Sequence, residues 1–208
     1  MLQNSRIKRQ GWHKLMEGFD LSKHDDTYDK LIAAYSEKHR AYHTLDHIEA
    51  CFRHLDAVKD DTVHPHEIEL ALWFHDVIYA PFSKTNEEDS AELAKAFLEK
   101  NNVSAEITKR IHDLIILTKD HAVPRSNDAR FMLDIDLSIL GASEHIYAQF
   151  EKDVRTEYKK VPAFIFKKKR KDILRSFAKR PHIYHTTYFS ERLESQAKKN
   201  LAWAIARL

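Results

Sequence analysis

Two histidines lie four residues apart in the stretch AYHTLDHIEAC, at positions 41–51. On a helix, this spacing would put the imidazoles of His43 and His47 on one face, about 6 Å apart. Imidazole is the commonest metal ligand and a common general acid or base. Taken alone, the pair is either such a site or two polar residues on a solvated helix.

A second chemical group lies inside the apolar stretch HPHEIELALWFHDVIYAP. We predict one helix that begins at its first proline, ends at Pro81 and is buried on nearly all sides, with His75 and Asp76 buried in it. A buried aspartate is costly unless a partner compensates its charge. Adjacent helical residues point about 100° apart, which makes His75 a poor partner. A shared cation would compensate the charge; a surface-facing pair at a helix end is the alternative.

Two further aspartates, Asp134 and Asp136, interrupt the apolar run FMLDIDLSILG and raise the same energetic problem. Two acidic sites and a histidine pair on three predicted helices suggest one polar centre. Imidazole nitrogens and carboxylate oxygens suit a divalent Mn, Mg, Fe, Ni, Co or Zn ion rather than a thiolate site. Which of the two aspartates is the ligand stays open at this point.

The order His47, then His75-Asp76, then Asp136 resembles the H…HD…D signature of the HD superfamily of metal-dependent phosphohydrolases. Five ordered blocks are similar to a bacterial group of HD-domain phosphohydrolases and cover most of the chain: RAYHTLDHI, FHDVIYAP, NEEDSAELA, DIDLSILG and DVRTEY. The resemblance implies an all-α fold, a single HD-type helical bundle, in which these four residues bind a divalent metal ion.

The resemblance also implies unequal roles for the two histidines of the opening pair. Cyclic nucleotide phosphodiesterases, more distant relatives, carry a similar Tyr-His-x-x-x-His element in which the first histidine protonates the leaving group and the second binds metal. By that comparison His47 is a ligand and His43 a candidate general acid; the alternative is that His43 only orients a ligand. The implied reaction is hydrolysis of a small phosphate ester, in particular a nucleotide, by a metal-activated water.

Other polar residues could support this chemistry. Glu87 and Glu88 could act as a base, although Thr85 and Glu88 also have the spacing of a helix-capping box. His121 could bind a second metal or a phosphate, or it could be an exposed loop residue. Asp134 would orient the metal ligands without binding the metal itself.

Ten basic residues and one acidic residue lie in the stretch 159–180. Such charge could steer a phosphorylated substrate or bind a nucleic-acid backbone. We favour a solvated helix face with modest steering, because its apolar residues, Phe164 and Ile173 among them, would face inward and leave no exposed aromatic residues between the charges. Arg155 and Arg170 are candidate phosphate clamps.

Helices must position these residues. Helical periodicity recurs from end to end, and three glycines in 208 residues leave little material for hairpins. A helix from about Arg40 would carry both histidines, one capped at Thr85 would reach Lys100 and bury Leu93, and one capped at Ser104 would follow. We predict one domain over residues 1–208, with the metal site at about 28–158 and a helical extension at about 159–208.

Charge and cysteine content exclude several classes of protein. The single cysteine, Cys51, excludes a disulfide framework and a cysteine-rich zinc module, and it favours a cytoplasmic location. A net charge of +2 does not favour nucleic acid, and no window approaches the roughly 20 apolar residues of a membrane helix. The expected partner is a small phosphorylated substrate; the oligomeric state is open, with a homodimer as one option.

Two other functions stay open on the same scaffold. A nucleotide-sensing module would keep the pocket without hydrolysing the ligand, although it has no need to retain all four metal ligands. A dinuclear iron oxygenase would need more histidine ligands, for which His43 and His121 are the obvious extras.

Overall fold

The computed structural model describes residues 6–121 and 123–208. These residues form ten α-helices and two 3₁₀ helices, Lys59–Asp61 and Leu137–Gly141, and they contain no strand. Helices α1 to α10 follow the chain as Arg9–Glu17, Asp25–Tyr35, Leu45–Val58, Pro65–Phe74, Asn86–Lys100, Ala105–Asp120, Asn127–Asp136, Glu144–Glu157, Ala163–Ala178 and Thr187–Arg207. The all-α prediction is confirmed. No described helix has the length and apolar character that a membrane span requires.

The chain divides into two compact units, one that ends at Met132 and one that runs from Leu133 to Leu208. In the first unit, α4 contacts α1, α3, α5 and α6. In the second, α10 contacts α8, α9 and the 3₁₀ helix Leu137–Gly141. The single domain expected over residues 1–208 stays a prediction.

Helix α4 is the centre of the first unit because its sequence is apolar on almost every side, as predicted. Its two glutamates, Glu67 and Glu69, are buried as well. Arg110 donates to both carboxylate oxygens of Glu67, at 2.6 and 2.8 Å, and Arg6 pairs with Glu69. Both buried charges therefore have the partners that burial requires.

The predicted continuation of α4 to Pro81 is wrong, because the helix ends at Phe74 and His75 and Asp76 lie in the turn that follows. Side chains from other elements bind the backbone of this turn in place of a helical ladder. Arg40 binds the carbonyls of Asp76 and Val77, and Ser90 accepts from the amide of Ile78. These partners are far away in sequence, so periodicity could not reveal the helix end.

The start of α3 also differs from the prediction, since the helix begins at Leu45 rather than near Arg40. Thr44 has an extended backbone, and its amide donates to the carbonyl of Tyr42 at 2.7 Å. His43 therefore lies in the preceding loop. The prediction that both histidines lie on one helix is wrong for His43.

The predicted bounds of the next two helices agree with the structure, whereas their predicted capping and buried residues agree only in part. Helix α5 begins after Thr85 and ends at Lys100, but the hydroxyl of Thr85 donates to Asp89 at 2.9 Å and no capping box forms. Leu93 is exposed, contrary to the prediction, because the buried residues Ser90, Ala91, Ala94 and Leu98 form a stripe that does not include it. Ser104 caps α6 as predicted, accepting from the amide of Ile107.

Helix α9 carries the basic stretch of the second unit. Leu174 and Phe177 are buried there, as predicted. Phe164 and Ile173 are 74% and 48% exposed, so the prediction that they face inward is wrong. The basic surface of α9 therefore includes an exposed aromatic residue.

Candidate metal centre

The first unit brings three of the predicted ligands together. His47 lies on α3, His75 and Asp76 follow α4, and both histidines are buried. The Nε2 atoms of the two histidines are 3.3 Å apart. Oδ2 of Asp76 lies 3.0 Å from Nε2 of His75 and 3.8 Å from Nε2 of His47. Three ligand atoms thus lie within 3.8 Å of one another.

His47 and His75 belong to a His-His-Asp group that is positioned to hold a metal ion. Imidazole nitrogens together with carboxylate oxygens form a donor set that fits a divalent cation. Asp136 lies in the second unit, and its role as the fourth ligand stays a prediction. The residues present therefore fit a metal ion.

Asp134 has a different set of partners, all within the second unit. Its carboxylate accepts from the amides of His185 and Thr186 and from the hydroxyl of Thr186, at 2.7 to 2.8 Å. Burial raises the pKa of Asp134 to about 6, and these three hydrogen bonds oppose that rise. The residue links α7 to the segment before α10.

Hydrogen bonds orient both histidine rings. Nδ1 of His75 lies 2.9 Å from the carbonyl of Leu72, and because a carbonyl only accepts, this nitrogen carries the proton. Nε2 of a neutral His75 then presents its lone pair to His47 and Asp76. Nδ1 of His47 lies 3.0 Å from the hydroxyl of Tyr42. A ring nitrogen held by a partner while the other faces the site is typical of metal-binding histidines.

A buried arginine that sequence reasoning missed connects the two segments of the site. The guanidinium of Arg40 is fully buried and donates to the carbonyls of Asp76, Val77 and His43, at 2.7, 2.8 and 3.2 Å. It also pairs with Glu37 at 3.0 Å. The hydrogen bonds of Arg40 thus connect two segments. One is the turn that carries the His-Asp pair, and the other is the loop that carries His43. The position of Arg40 as the first residue of the RAYHTLDHI block is the sequence signal that could have identified it.

His43 is held between aromatic rings. Its ring centroid lies 4.2 Å from that of Tyr79 in a stacked arrangement and 5.0 Å from that of Tyr42, edge to face. The ring of His47 is 6.3 Å away, close to the predicted spacing although His43 lies outside the helix. Sequence reasoning gave Tyr79 no role.

No family model matches the chain. Neither a curated protein nor a solved structure matches it.

The acidic residues near the site differ in how their surroundings shift the pKa of each carboxyl group. Burial acts to raise the pKa of Asp76, but the positive charge that His75, His43 and His47 carry when protonated, with a hydrogen bond from His75, outweighs burial and holds that pKa well below its usual range. Glu87 is half-buried; burial raises its pKa, and the negative charge of Asp76 raises it further.

Glu88 differs from its neighbour Glu87, because an ion pair with Lys119 lowers its pKa. Of the two glutamates proposed as a base, Glu87 is the one whose pKa is raised toward neutrality.

The remaining predicted residues have other roles in the described chain. His121 ends α6 in the left-handed conformation, with φ at 47°, and it is not part of the ligand group found among the described residues. Arg155 donates to the carbonyls of Tyr158 and Val161, and Arg170 binds both carboxylate oxygens of Glu151. Their role as phosphate clamps stays a prediction.

Proposed function

We propose that this chain is a metal-dependent phosphohydrolase of the HD superfamily that acts on a small phosphate ester, in particular a nucleotide. The observation that carries the proposal is the convergence of His47 Nε2, His75 Nε2 and Asp76 Oδ2 within 3.8 Å of one another. Two imidazole nitrogens and a carboxylate in such contact are the donor set that a divalent cation prefers, and this supports the proposal. The ordered H…HD…D motifs give independent support.

Four residues would hold the ion: His47, His75, Asp76 and Asp136. A bound divalent ion would supply Lewis-acid polarisation of a phosphoryl oxygen and would lower the pKa of a water toward neutrality. The carbonyl of Leu72 would keep the ring of His75 in the tautomer whose Nε2 lone pair faces the site.

His43 would act as the general acid that protonates the leaving oxygen. Its distance of 6.3 Å from the ring of His47 leaves room for a substrate group between them. Stacking on Tyr79 would hold the imidazole in place.

Glu87 would act as the base that accepts a proton from water. Its pKa is raised by burial and by Asp76, and a base whose pKa lies closer to neutrality transfers protons more efficiently at physiological pH. Glu88 is bound to Lys119 and would keep the loop before α5 in place.

The test is metal analysis of chelator-free protein, followed by assays with Mn²⁺, Mg²⁺, Ni²⁺ and Co²⁺ on phosphomonoesters, phosphodiesters and nucleotides. Asp76→Asn should lose metal-dependent turnover, whereas Asp113→Asn, which removes an exposed carboxylate paired with Lys109, should keep it. No turnover on any substrate, or equal turnover in Asp76→Asn, would contradict the proposal.

Two other outcomes of the same experiment would favour the alternatives. Thermal stabilisation by a nucleotide without product would favour a sensor, and two irons per chain would favour an oxygenase. We also propose a cytosolic location, since the lone Cys51 cannot form an internal disulfide.

A further inference from the structure

A groove of about 400 Å³ lies in the second unit, lined by residues of α8, α9 and the end of α10. Alanines lie along it, and they leave space beside two aromatic side chains, Phe166 and Trp203. Trp203 is partly exposed, whereas Trp12 and Trp73 of the first unit are fully buried. An exposed tryptophan in a concave apolar site is typical of ligand pockets.

Basic residues outnumber acidic residues in the lining of this largely apolar groove. Its basic lining residues are Lys152, Arg155, Lys167 and Arg207. Its acidic lining residue, Glu151, is neutralised because both of its oxygens are bound by Arg170, at 2.7 and 3.0 Å. The charge of the lining therefore favours an anion.

The two arginines of the lining are held against the aromatic rings. The guanidinium of Arg207 lies 4.4 Å from the ring centroid of Trp203, and that of Arg155 lies 4.8 Å from that of Phe166. Arg155 is also tied to two backbone carbonyls, and its position is therefore fixed. These arginines give an ordered, positively charged wall to the apolar space.

The lysines are available to a ligand. Lys152 and Lys167 are exposed, and within the described part of the chain neither ammonium group has an ion-pair partner. They lie on α8 and α9, two of the helices that line the groove. A carboxylate between them would gain charge-assisted hydrogen bonds without breaking an existing pair.

We propose that this groove binds a small aromatic carboxylate, with its ring against Phe166 and Trp203 and its carboxylate at Lys152 and Lys167. The volume falls within the range of small-molecule pockets. A second copy of this chain would bring no net negative charge, since its own net charge is +2. The groove shares no residue with the proposed metal centre and needs no metal.

The experiment titrates the full chain with 1-naphthoate by calorimetry in the presence of EDTA, with neutral 1-naphthamide as the comparator. Naphthoate should bind at one site, and naphthamide should bind about fivefold more weakly because it lacks the charge. The Ala163→Trp variant, at an exposed lining position, should fold normally and abolish binding by filling the groove.

A matched pair of double variants tests the lysines. Lys152→Gln with Lys167→Gln should weaken naphthoate about fivefold and leave naphthamide unchanged. Lys168→Gln with Lys169→Gln removes the same charge from exposed positions of α9 outside the lining, and should leave both ligands unchanged.

Three results would overturn the proposal. The first is equal binding of naphthoate and naphthamide, or no saturation at about 1 mM. The second is concentration-dependent dimerisation that Ala163→Trp abolishes, without naphthoate binding. The third is binding of an acidic helical peptide at this groove with no binding of naphthoate.

Discussion

The Nε2 atoms of His47 and His75 face each other at 3.3 Å inside the first unit. Nδ1 of His75 is committed to the carbonyl of Leu72, and so its Nε2 can only accept when the ring is neutral. The space between the two nitrogens is therefore a site for a proton or for a metal ion. Because these two compete, metal affinity should fall as the pH is lowered.

Removing one imidazole should remove the metal. We expect His75→Ala to weaken Mn²⁺ binding by more than about a hundredfold, which exceeds the effect of losing a residue that only supports a ligand. Calorimetric titration of the metal-free protein measures this. His112→Ala, which removes a histidine close to the exposed Glu92, is the control and should bind normally. Unchanged affinity in His75→Ala would contradict the metal site.

Tyr42 should affect metal affinity through His47, because the hydroxyl of Tyr42 lies 3.0 Å from Nδ1 of His47. Tyr42→Phe should lower Mn²⁺ affinity about tenfold by releasing the ring. Tyr28→Phe is the control, because it removes a hydroxyl that binds the carbonyl of Ile7. Equal affinity in the two variants would show that the hydroxyl does not orient the ligand.

Arg40 should stabilise the fold as well as the site. Arg40→Lys cannot reproduce bonds to three carbonyls, and it should lower the free energy of unfolding by about 3 kcal/mol in urea. Metal affinity should fall with it, because the turn that carries Asp76 loses its connection. Arg53→Lys, at an exposed position on α3, should change neither quantity. A loss confined to metal affinity would contradict the structural role.

His43 should affect turnover rather than metal binding. If it is the general acid, His43→Gln should lower kcat by about 10² to 10⁴ and leave metal content unchanged. A substrate whose leaving group needs no protonation should restore most of the rate. If His43 only orients a ligand, metal content would fall in parallel with kcat and the better leaving group would not rescue it.

Glu87 should produce a measurable pH dependence. Its folded pKa is raised above the usual 4.5, so the folded state is favoured while the carboxyl is protonated and loses that stability as the pH rises through the folded pKa. Glu87→Gln should therefore gain stability over the wild type at neutral pH and show no gain below about pH 4.5. Urea unfolding at both pH values measures the difference.

Glu88→Gln is the natural comparison because the pKa of Glu88 is lowered by Lys119. Its carboxylate contributes stability above its usual pKa, which is lost as the pH falls through the lowered value. The substitution should therefore reduce stability at neutral pH, opposite in sign to Glu87→Gln. The same sign in both variants would contradict the different environments of the two glutamates.

Sequence periodicity predicted helices well where burial is one-sided or complete. Helix α4 is buried as expected because apolar residues surround it, and α5 and α6 begin next to Thr85 and Ser104. The predicted burial of Leu93 and Phe164 was wrong, because their exposure depends on which neighbours pack against α5 and α9. A residue's spacing shows which face it shares, but not whether another element covers that face.

The amino-acid sequence was enough to predict a helical chain and a polar centre of histidines and aspartates in apolar surroundings, because uncompensated buried charge is too costly. Three features became visible only in the folded chain: α4 ends at Phe74, His43 precedes its helix, and Arg40 joins the two segments. The hydrogen bonds of Arg40 to the turn after α4 connect residues 36 and 37 positions apart. Local spacing cannot specify these contacts, because their partners meet only when the chain has folded.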